Sequence, residues 1–374
     1  MIEKHALNTI CPYYTMFPLD FPERVLRAAG ARELVADPYC GRGTTIYAAR
    51  MRGLRSYGID TSPVAVAVSR AKVASTSLSA VMQAYDRLLN AVPWAETPTG
   101  RFWRVAYHAE TLSVLCRLRV ALRRSLKKNG VSESDAVAML RAVALGALHG
   151  PLNKAGLPAS YFSNQMPRTF APKPDYAARF LAERELRPQV ANVRAVIRKR
   201  AKLILDGFVP ESSMGWIVAG DSRKRAAWDM LPGKISRVIT SPPYYGMNTY
   251  EEDQWLRVWF LGGPATIEYG NKNQLSHRSP EAFAKSMAKV WDQIGDHARP
   301  ELSMAVRFGG IGSHKSDYRE IMADSLEHSK HHWCMVSARD AGEAADGRRQ
   351  AETMGKRGEE SRSIEERDFY VRLA

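Results

Sequence analysis

Long apolar runs are missing from this chain. No stretch approaches the ~20 residues that cross a bilayer, although 45% of the 374 residues are hydrophobic. The expectation is one large domain or two ordinary ones with a real core, and no membrane partner. The opening "MIEKHALNTICPYY" has no apolar stretch of the signal-peptide kind. Cysteine is scarce as well. Cys11, Cys40, Cys116 and Cys334 are scattered and form no CxxC pair, which argues against a disulfide framework and a zinc site, and for a reducing cytoplasm. His149 and His314 have no neighbours at ligand spacing, so packing or solvation is their expected fate and no metal is expected.

Acidic residues are also in short supply. Lys and Arg number 54 against 39 Asp and Glu, a formal net charge of +15. An excess of this size points to a polyanionic partner, nucleic acid above all. It is concentrated in residues 101–210, which hold 20 Lys/Arg against 7 Asp/Glu. The flanking regions are close to neutral, as the core of a small-molecule enzyme can be.

Short β-type runs alternate with helical stretches at both ends of the chain. "ELVAD" (33–37) and "SYGID" (56–60) read as buried strands. "TTIYAARMRG" between them reads as a helix closed by Gly53, and "SPVAVAVSRAK" (62–72) as a second helix with Pro63 in its first turn. The alternation resumes with "GWIVAGD" (215–221), "SRVITS" (236–241), "LSMAVRF" (302–308), "HWCMVSA" (332–338) and "DFYVRLA" (368–374), with helices near 251–261 and 281–296. Seven strands with interleaved helices predict an α/β fold, a mostly parallel sheet covered on both faces and ending in an antiparallel hairpin at one edge. Residues 75–212 interrupt this pattern with long helical stretches and almost no strand signal. The expected division is a catalytic domain of 1–75 and 213–374, and a helical, basic insertion of 76–212. The stretch 339–366 reads as a solvated hairpin tip.

The first strand is followed by "DPYCGRGTT", Asp37 to Thr45. Gly41 and Gly43 permit backbone conformations and close approaches that a Cβ blocks, and the helix behind them offers free N–H groups. A dinucleotide fingerprint wants a third glycine where Ile46 stands, and the lysine of a phosphate-cradling loop is missing. Asp60 closes the second strand, where an acid can accept hydrogen bonds from ribose hydroxyls. These features suit a nucleoside ligand with a positive end, and S-adenosylmethionine is the obvious candidate. A second signal is "TSPPYYG" (240–246) after "ISRVI". Two prolines cannot continue a central strand. They make a stiff bend at the carboxyl edge of the sheet, where open α/β folds bind ligands.

Together "DPYCGRGTT", "GIDTSP", "AGDSR" and "TSPPYYG" resemble the S-adenosylmethionine-dependent DNA amino-methyltransferases, which modify N6 of adenine or N4 of cytosine. "DPYCGRGTT" is similar to their cofactor loop, with departures at Tyr39 and Arg42. "TSPPY" is similar to their catalytic tetrapeptide, and "MFPLDFP" to the segment that closes over the cofactor. The resemblance covers roughly 13–75 and 214–310 and implies a Rossmann-like methyltransferase sheet. It implies cofactor contacts at Phe17, Asp37, Tyr39, Gly41, Gly43, Thr44, Asp60, Thr61, Asp221 and Ser222, with Asp221 taking the adenine amino group. Catalysis is expected from Ser241, Pro242, Pro243 and Tyr244.

An exocyclic amino group is a poor nucleophile because its lone pair is delocalised into the ring. If the Ser241 hydroxyl and the Pro242 carbonyl accept its two N–H groups, the nitrogen becomes more pyramidal and its lone pair points at the incoming methyl, an effect of fixed positioning. Tyr244 would stack on a base drawn out of the duplex. Carbon-5 cytosine methylation needs a cysteine after a proline, and Pro-Cys never occurs here. Adenine and cytosine both stay open as the target.

In the insertion, Arg123, Arg124, Lys127, Lys128, Arg198, Lys199, Arg200 and Lys202 are candidate phosphate contacts. The loop 158–176, with Tyr161, Phe162, Asn164, Gln165 and Arg168, is suited to base edges or intercalation. Double-stranded DNA is the expected partner, and a homodimer is weakly preferred to a monomer. No nuclease motif is read, so any restriction activity belongs to another chain. Two alternatives remain: an RNA base amino-methyltransferase with the same catalytic logic, and a non-catalytic DNA-binding regulator.

Overall fold

The computed structural model describes residues 6–12, 17–127, 133–150, 158–163, 173–206, 214–246, 252–267, 275–310, 316–341 and 365–374. The chain forms two compact units. One comprises Thr15–Ser69, Pro210–Asn248 and Lys272–Ala374; the other comprises Met1–Tyr14, Arg70–Val209 and Thr249–Asn271.

The first unit is built on seven strands: β1 (Leu34–Asp37), β2 (Arg55–Asp60), β3 (Gly215–Ala219), β4 (Ile235–Thr240), β5 (Ala298–Gly309), β6 (Trp333–Asp340) and β7 (Glu366–Leu373). They lie in the order β3-β2-β1-β4-β5-β7-β6. The first five run parallel, and β7 is antiparallel to both β5 and β6. All seven expected strands are present, and the last two form the antiparallel pair. β7 inserts beside β5, so β6 is the edge strand. The strands expected to run through Asp221 and Ser241 stop at Ala219 and Thr240. The residues beyond turn out of the sheet with their side chains at its carboxyl edge.

β1 is buried along its whole length, as a strand covered on both faces must be. Its side chains alternate between two clusters. Leu34 and Ala36 join Tyr57, Val238, Met304 and the helix α11 (Pro280–Asp296) through Phe283, Met287 and Trp291. Val35 faces the other way with Ile239, Ala305, Phe21, Ala48 and Ala49. Of these, Phe21 lies on α1 (Asp20–Leu26), and Ala48 and Ala49 on α2 (Thr44–Met51). Gly53 closes α2 at φ +66, with its N–H on the Arg50 carbonyl at 2.9 Å, the left-handed helix stop expected of a glycine there. α11 starts on Ser279, whose hydroxyl accepts the Ala282 N–H at 3.1 Å, with Pro280 in the first turn. The register of β7 against β5 is reinforced by a buried bidentate pair, Arg307 to Asp368 at 2.7 and 3.0 Å, joined by Arg24 at 2.9 Å.

The second unit is helical: α4 (Leu78–Asn90), α5 (Arg101–Ala106), α6 (Ala109–Lys127), α7 (Asp135–Ala147), α8 (Pro174–Glu183), α9 (Val193–Leu205) and α10 (Trp255–Phe260). The division between the units falls within α3 (Pro63–Val73). α7 is apolar nearly all round and buried from Val137 to Ala147, the pattern of a central helix. Residues 1–14 and 249–271, expected with the sheet, belong to this unit instead. The reason is packing. Trp255 and Trp259 of α10 meet Phe102 and Trp103 of α5 at centroid distances of 4.9 and 4.4 Å. Lys72 Nζ donates to Asn8 at 2.6 Å. Among the described residues no helix is long and apolar enough to cross a membrane, and no group of three His, Cys, Asp or Glu is placed to hold a metal ion.

Candidate functional site

Strand order reverses between β1 and β4. From β1 the chain steps outward to β2 and β3, then resumes on the other side with β4 and β5. A sheet of this kind has its crevice at the carboxyl ends of those two strands. The two motifs singled out in the sequence both emerge there, Asp37 ending β1 and Thr240 ending β4. The Thr240 hydroxyl donates to Asp37 Oδ1 at 2.7 Å. Thr45, in the first turn of α2, donates to the Ile239 carbonyl at 3.1 Å. Glycine loop and proline bend are thus stitched together by two hydroxyls that neither motif marks as functional.

Asp37 is 1% exposed. Burial pushes its carboxyl up to about 7, and the nearby Asp60 charge adds to the rise. Hydrogen bonds from Thr240 and the Tyr39 N–H hold it partly back. Oδ2 is buried, and no donor among the described residues is in hydrogen-bond geometry with it, although the Thr45 hydroxyl is near enough to oppose the rise in pKa; a buried oxygen so placed is suited to accept from a ligand or a water.

The glycines have separate jobs. Gly43 stands at φ +75, and a Cβ there would lie 2.7 Å from Ser69 Oγ, so this position serves close packing of the loop on α3. Gly41 stands at φ +50, and among the described residues the Tyr39 carbonyl is the one group within 4 Å of where a Cβ would stand. Asp60 braces that loop: Oδ2 accepts the Gly41 N–H and Oδ1 the Ser62 N–H, both at 2.8 Å. Burial raises its pKa, while the N–H groups of Ser62, Gly41 and Thr61 oppose the rise. Thr44 is buried at the start of α2, and Thr61 is exposed.

Asp221 sits in the turn after β3 but is already engaged. Arg223 grips both its oxygens at 2.8 Å. Burial pushes Asp221 up, yet Arg223 and Lys224 bring it below the usual carboxylate range. The expected hydrogen bond to an adenine amino group would therefore share oxygens that carry a guanidinium. The Tyr39 hydroxyl is buried without a hydrogen-bond partner among the described residues, and burial raises its pKa. Ser222 is buried, its carbonyl taken by Trp228 Nε1 at 2.9 Å. Phe17 packs edge-on against Phe21 at 5.3 Å, beside the α1–α2 cluster.

In the proline bend Ser241 and Pro243 are half-buried, whereas Pro242 and Tyr244 are buried. Tyr244 lies edge-on to Phe308 at 5.6 Å, and its hydroxyl donates to Glu366 at 2.8 Å. Tyr245 stacks on His277 at 6.0 Å. His277 Nδ1 in turn accepts the Gly246 N–H at 3.0 Å. His277 and Glu366 thus belong to the site's surroundings, and no local pattern marks either in the sequence.

The basic candidates of the helical unit divide in two. Arg123, Arg124 and Arg198 are exposed, with no ion pair to a carboxylate among the described residues. Lys202 is exposed and 3.8 Å from Asp206. Lys199 and Arg200 also hold the loop 158–163. Lys199 Nζ donates to Ser160 Oγ at 2.8 Å, and Arg200 lies 4.8 Å over the Tyr161 ring. Tyr161 also fills the space left by Gly150, where a Cβ would come within 2.4 Å of the ring. Phe162, expected at base edges, is 1% exposed and belongs to the core. Lys128, Asn164, Gln165 and Arg168 lie outside the described residues, as does the side chain of Lys127.

No protein-family model matches the chain, and no curated protein matches it. Among solved structures it is similar to the rRNA methyltransferase aviRa from Streptomyces viridochromogenes, at 13% identity and a TM-score of 0.34, over 97% of this chain and 87% of that one. It is also similar to TrmN from Thermus thermophilus, at 9% identity and a TM-score of 0.34, over 99% of this chain and 53% of that one. At TM-scores of this size the likeness carries no argument about fold or activity.

Proposed function

We propose that this chain is an S-adenosylmethionine-dependent methyltransferase acting on the exocyclic amino group of a base in duplex DNA, N6 of adenine or N4 of cytosine. The observation that supports it most is the 2.7 Å hydrogen bond from Thr240 to Asp37. It joins the proline bend to the glycine loop at the crevice where nucleotide-type ligands bind in sheets of this topology.

The residues present fit the cofactor. Asp37 Oδ2, a buried acceptor bonded to no donor among the described residues, suits an ammonium group, Gly41 puts no Cβ over the loop, and Asp60 holds that loop while keeping lone pairs for ribose hydroxyls. When bound, the cofactor supplies a sulfonium methyl, which the amino nitrogen takes on its lone pair while the electrons of the C–S bond stay with sulfur. Ser241 Oγ and the Pro242 carbonyl accept the two N–H groups and turn the lone pair toward the methyl. The two prolines hold those acceptors in place before the base arrives, so little reorganisation is needed during transfer. The surplus proton leaves the methylated nitrogen to solvent. Drawing the base out of the stack costs a few kcal/mol, offset in part by contact with Tyr244.

The test is transfer of labelled methyl to duplex DNA, with folded RNA in parallel, followed by nucleoside digestion and mass spectrometry. N6-methyladenine or N4-methylcytosine from DNA supports the reading and identifies the base. Label in RNA alone moves the substrate to RNA, the class named for the rRNA methyltransferase above, with the same catalytic residues. No label in either, with the cofactor bound, leaves the regulatory alternative.

A further inference from the structure

Tyr244 is held at both ends. Pro242 and Pro243 restrict the backbone that leads to it, since each has φ fixed near −65°. Its ring edge meets Phe308, which stacks on Phe283 at 6.3 Å and meets Tyr318 at 6.4 Å. The far end, the hydroxyl, reaches Glu366 at 2.8 Å, across a sequence separation of 122 residues.

The carboxylate stands on a rigid base. Glu366 opens β7, an interior strand, and pairs with Gly309 of β5. Its own carbonyl accepts the Ala341 N–H at 3.1 Å. The neighbouring guanidinium of Arg307 is committed to Asp368, which leaves the Glu366 carboxylate to Tyr244. Among the described residues the Tyr244 hydroxyl is that carboxylate's one hydrogen-bond partner. An O–H···O⁻ bond of this kind is roughly twice as strong as a neutral one.

We infer that Glu366 is a positioning residue. Through the Tyr244 hydroxyl it fixes the ring that forms one wall of the pocket for the target base, so that β7 takes part in aligning the base with Ser241. This rests on the proposed base methylation. The role differs from fold support, because the buried Arg307–Asp368 pair already secures the register of β7.

The experiment measures kcat and KM for methyl transfer to duplex DNA with Glu366→Ala, Glu366→Gln, Tyr244→Phe and the Glu366→Ala/Tyr244→Phe double variant. Alongside, the Tyr244 ring signal is followed by NMR in protein labelled with 13C-tyrosine and assigned by its loss in Tyr244→Phe. Glu366→Ala and Tyr244→Phe are each expected to lower kcat about tenfold with KM within about twofold, the effect of one charged hydrogen bond. The double variant is expected to lose no more than either single one. Glu366→Gln, which keeps an acceptor, recovers activity to within about threefold. In NMR, Glu366→Ala shifts and broadens the Tyr244 signal while the other tyrosines stay in place. Single losses that multiply in the double variant, unchanged kcat in Glu366→Ala, or an unmoved Tyr244 signal would each overturn the inference. If the parent protein methylates no nucleic acid, the function proposed above fails, whereas the NMR outcome still decides whether Glu366 holds the ring.

Discussion

At the carboxyl edge of the sheet, polar side chains bond to one another across long stretches of chain: Thr240 to Asp37 over 203 residues and Tyr244 to Glu366 over 122. In the helical unit, cationic side chains more often bond to the backbone. Arg117 caps the Val92 and Leu89 carbonyls, and Arg119 those of Trp259 and Gly263. Arg141 holds the Leu122 carbonyl as well as Glu133. The difference teaches what a charge count means. Part of the basic content of residues 101–210, Arg117, Arg119, Arg141, Lys199 and Arg200 among it, caps helices and pins loops. Arg123, Arg124 and Arg198, exposed and without an ion pair among the described residues, are the ones proposed to meet a polyanion. At the sheet edge the reverse holds, since a substitution there changes the geometry of a residue expected in catalysis.

The largest expected effect separates the two regions outright. Ser241→Ala should reduce kcat by about 10²-fold or more, the usual loss when a pre-set hydrogen-bond partner of the reacting group is removed. Its affinity for duplex DNA should change by less than about twofold. Equal losses in both would remove Ser241 from its assigned role. The converse experiment replaces Arg123, Arg124 and Arg198 together by Ala. Affinity for DNA should fall roughly tenfold or more near physiological salt, and the slope of log K against log salt should drop by about 0.9 for each phosphate that is no longer neutralised. The melting temperature should hold. Lys199→Ala with Arg200→Ala should instead lower the melting temperature, because those side chains anchor the loop at Ser160 and Tyr161. An unchanged salt slope in the triple variant would show that the exposed arginines do not meet DNA.

A smaller effect comes from His149, buried in the helical unit with neither ring nitrogen bonded among the described residues. Burial, with the charge of Arg257 nearby, pushes its pKa down to about 3. The unfolded chain then binds more protons than the folded one between about 6.5 and 3, so stability falls as pH falls through that window. Between pH 6.5 and 5 the loss should be roughly 1–2 kcal/mol. Denaturant unfolding of His149→Leu should lack that acid-dependent component; if the variant follows the parent protein across the window, His149 is not the group responsible.

Much of the fold is legible in the sequence, for physical reasons. Parallel strands covered on both faces are rich in apolar residues, so "LVA" before Asp37 and "VI" before Thr240 stand out. Gly53 and Pro63 punctuate the helices between them. The two motifs are equally plain, because glycine pairs and double prolines at strand ends have few other uses. What the sequence hides is long-range. The aromatic stretch at 255–260 reads as a helix covering the sheet, and only its packing on Phe102 and Trp103 assigns it to the helical unit. Lys199 and Arg200 read as phosphate contacts, and their bonds to Ser160, about 40 residues away, have no local signal. Asp221 reads as an open acceptor, yet Arg223 two residues on already holds it. Glu366 carries no local signal at all.

The central claim is that the edge joined by Thr240 and Asp37 is a cofactor site. The most direct measurement is calorimetric titration of S-adenosylmethionine, with ATP and NAD as controls, into the parent protein and Asp37→Asn between pH 6 and 8. Because burial raises Asp37 to about 7, a cation bound there must displace its proton, so affinity should rise with pH through that value. S-adenosylmethionine binding should tighten with pH in the parent protein, be roughly tenfold weaker and insensitive to pH in Asp37→Asn, and ATP or NAD should give little heat. No binding of S-adenosylmethionine, or binding of ATP or NAD as tight, would contradict it.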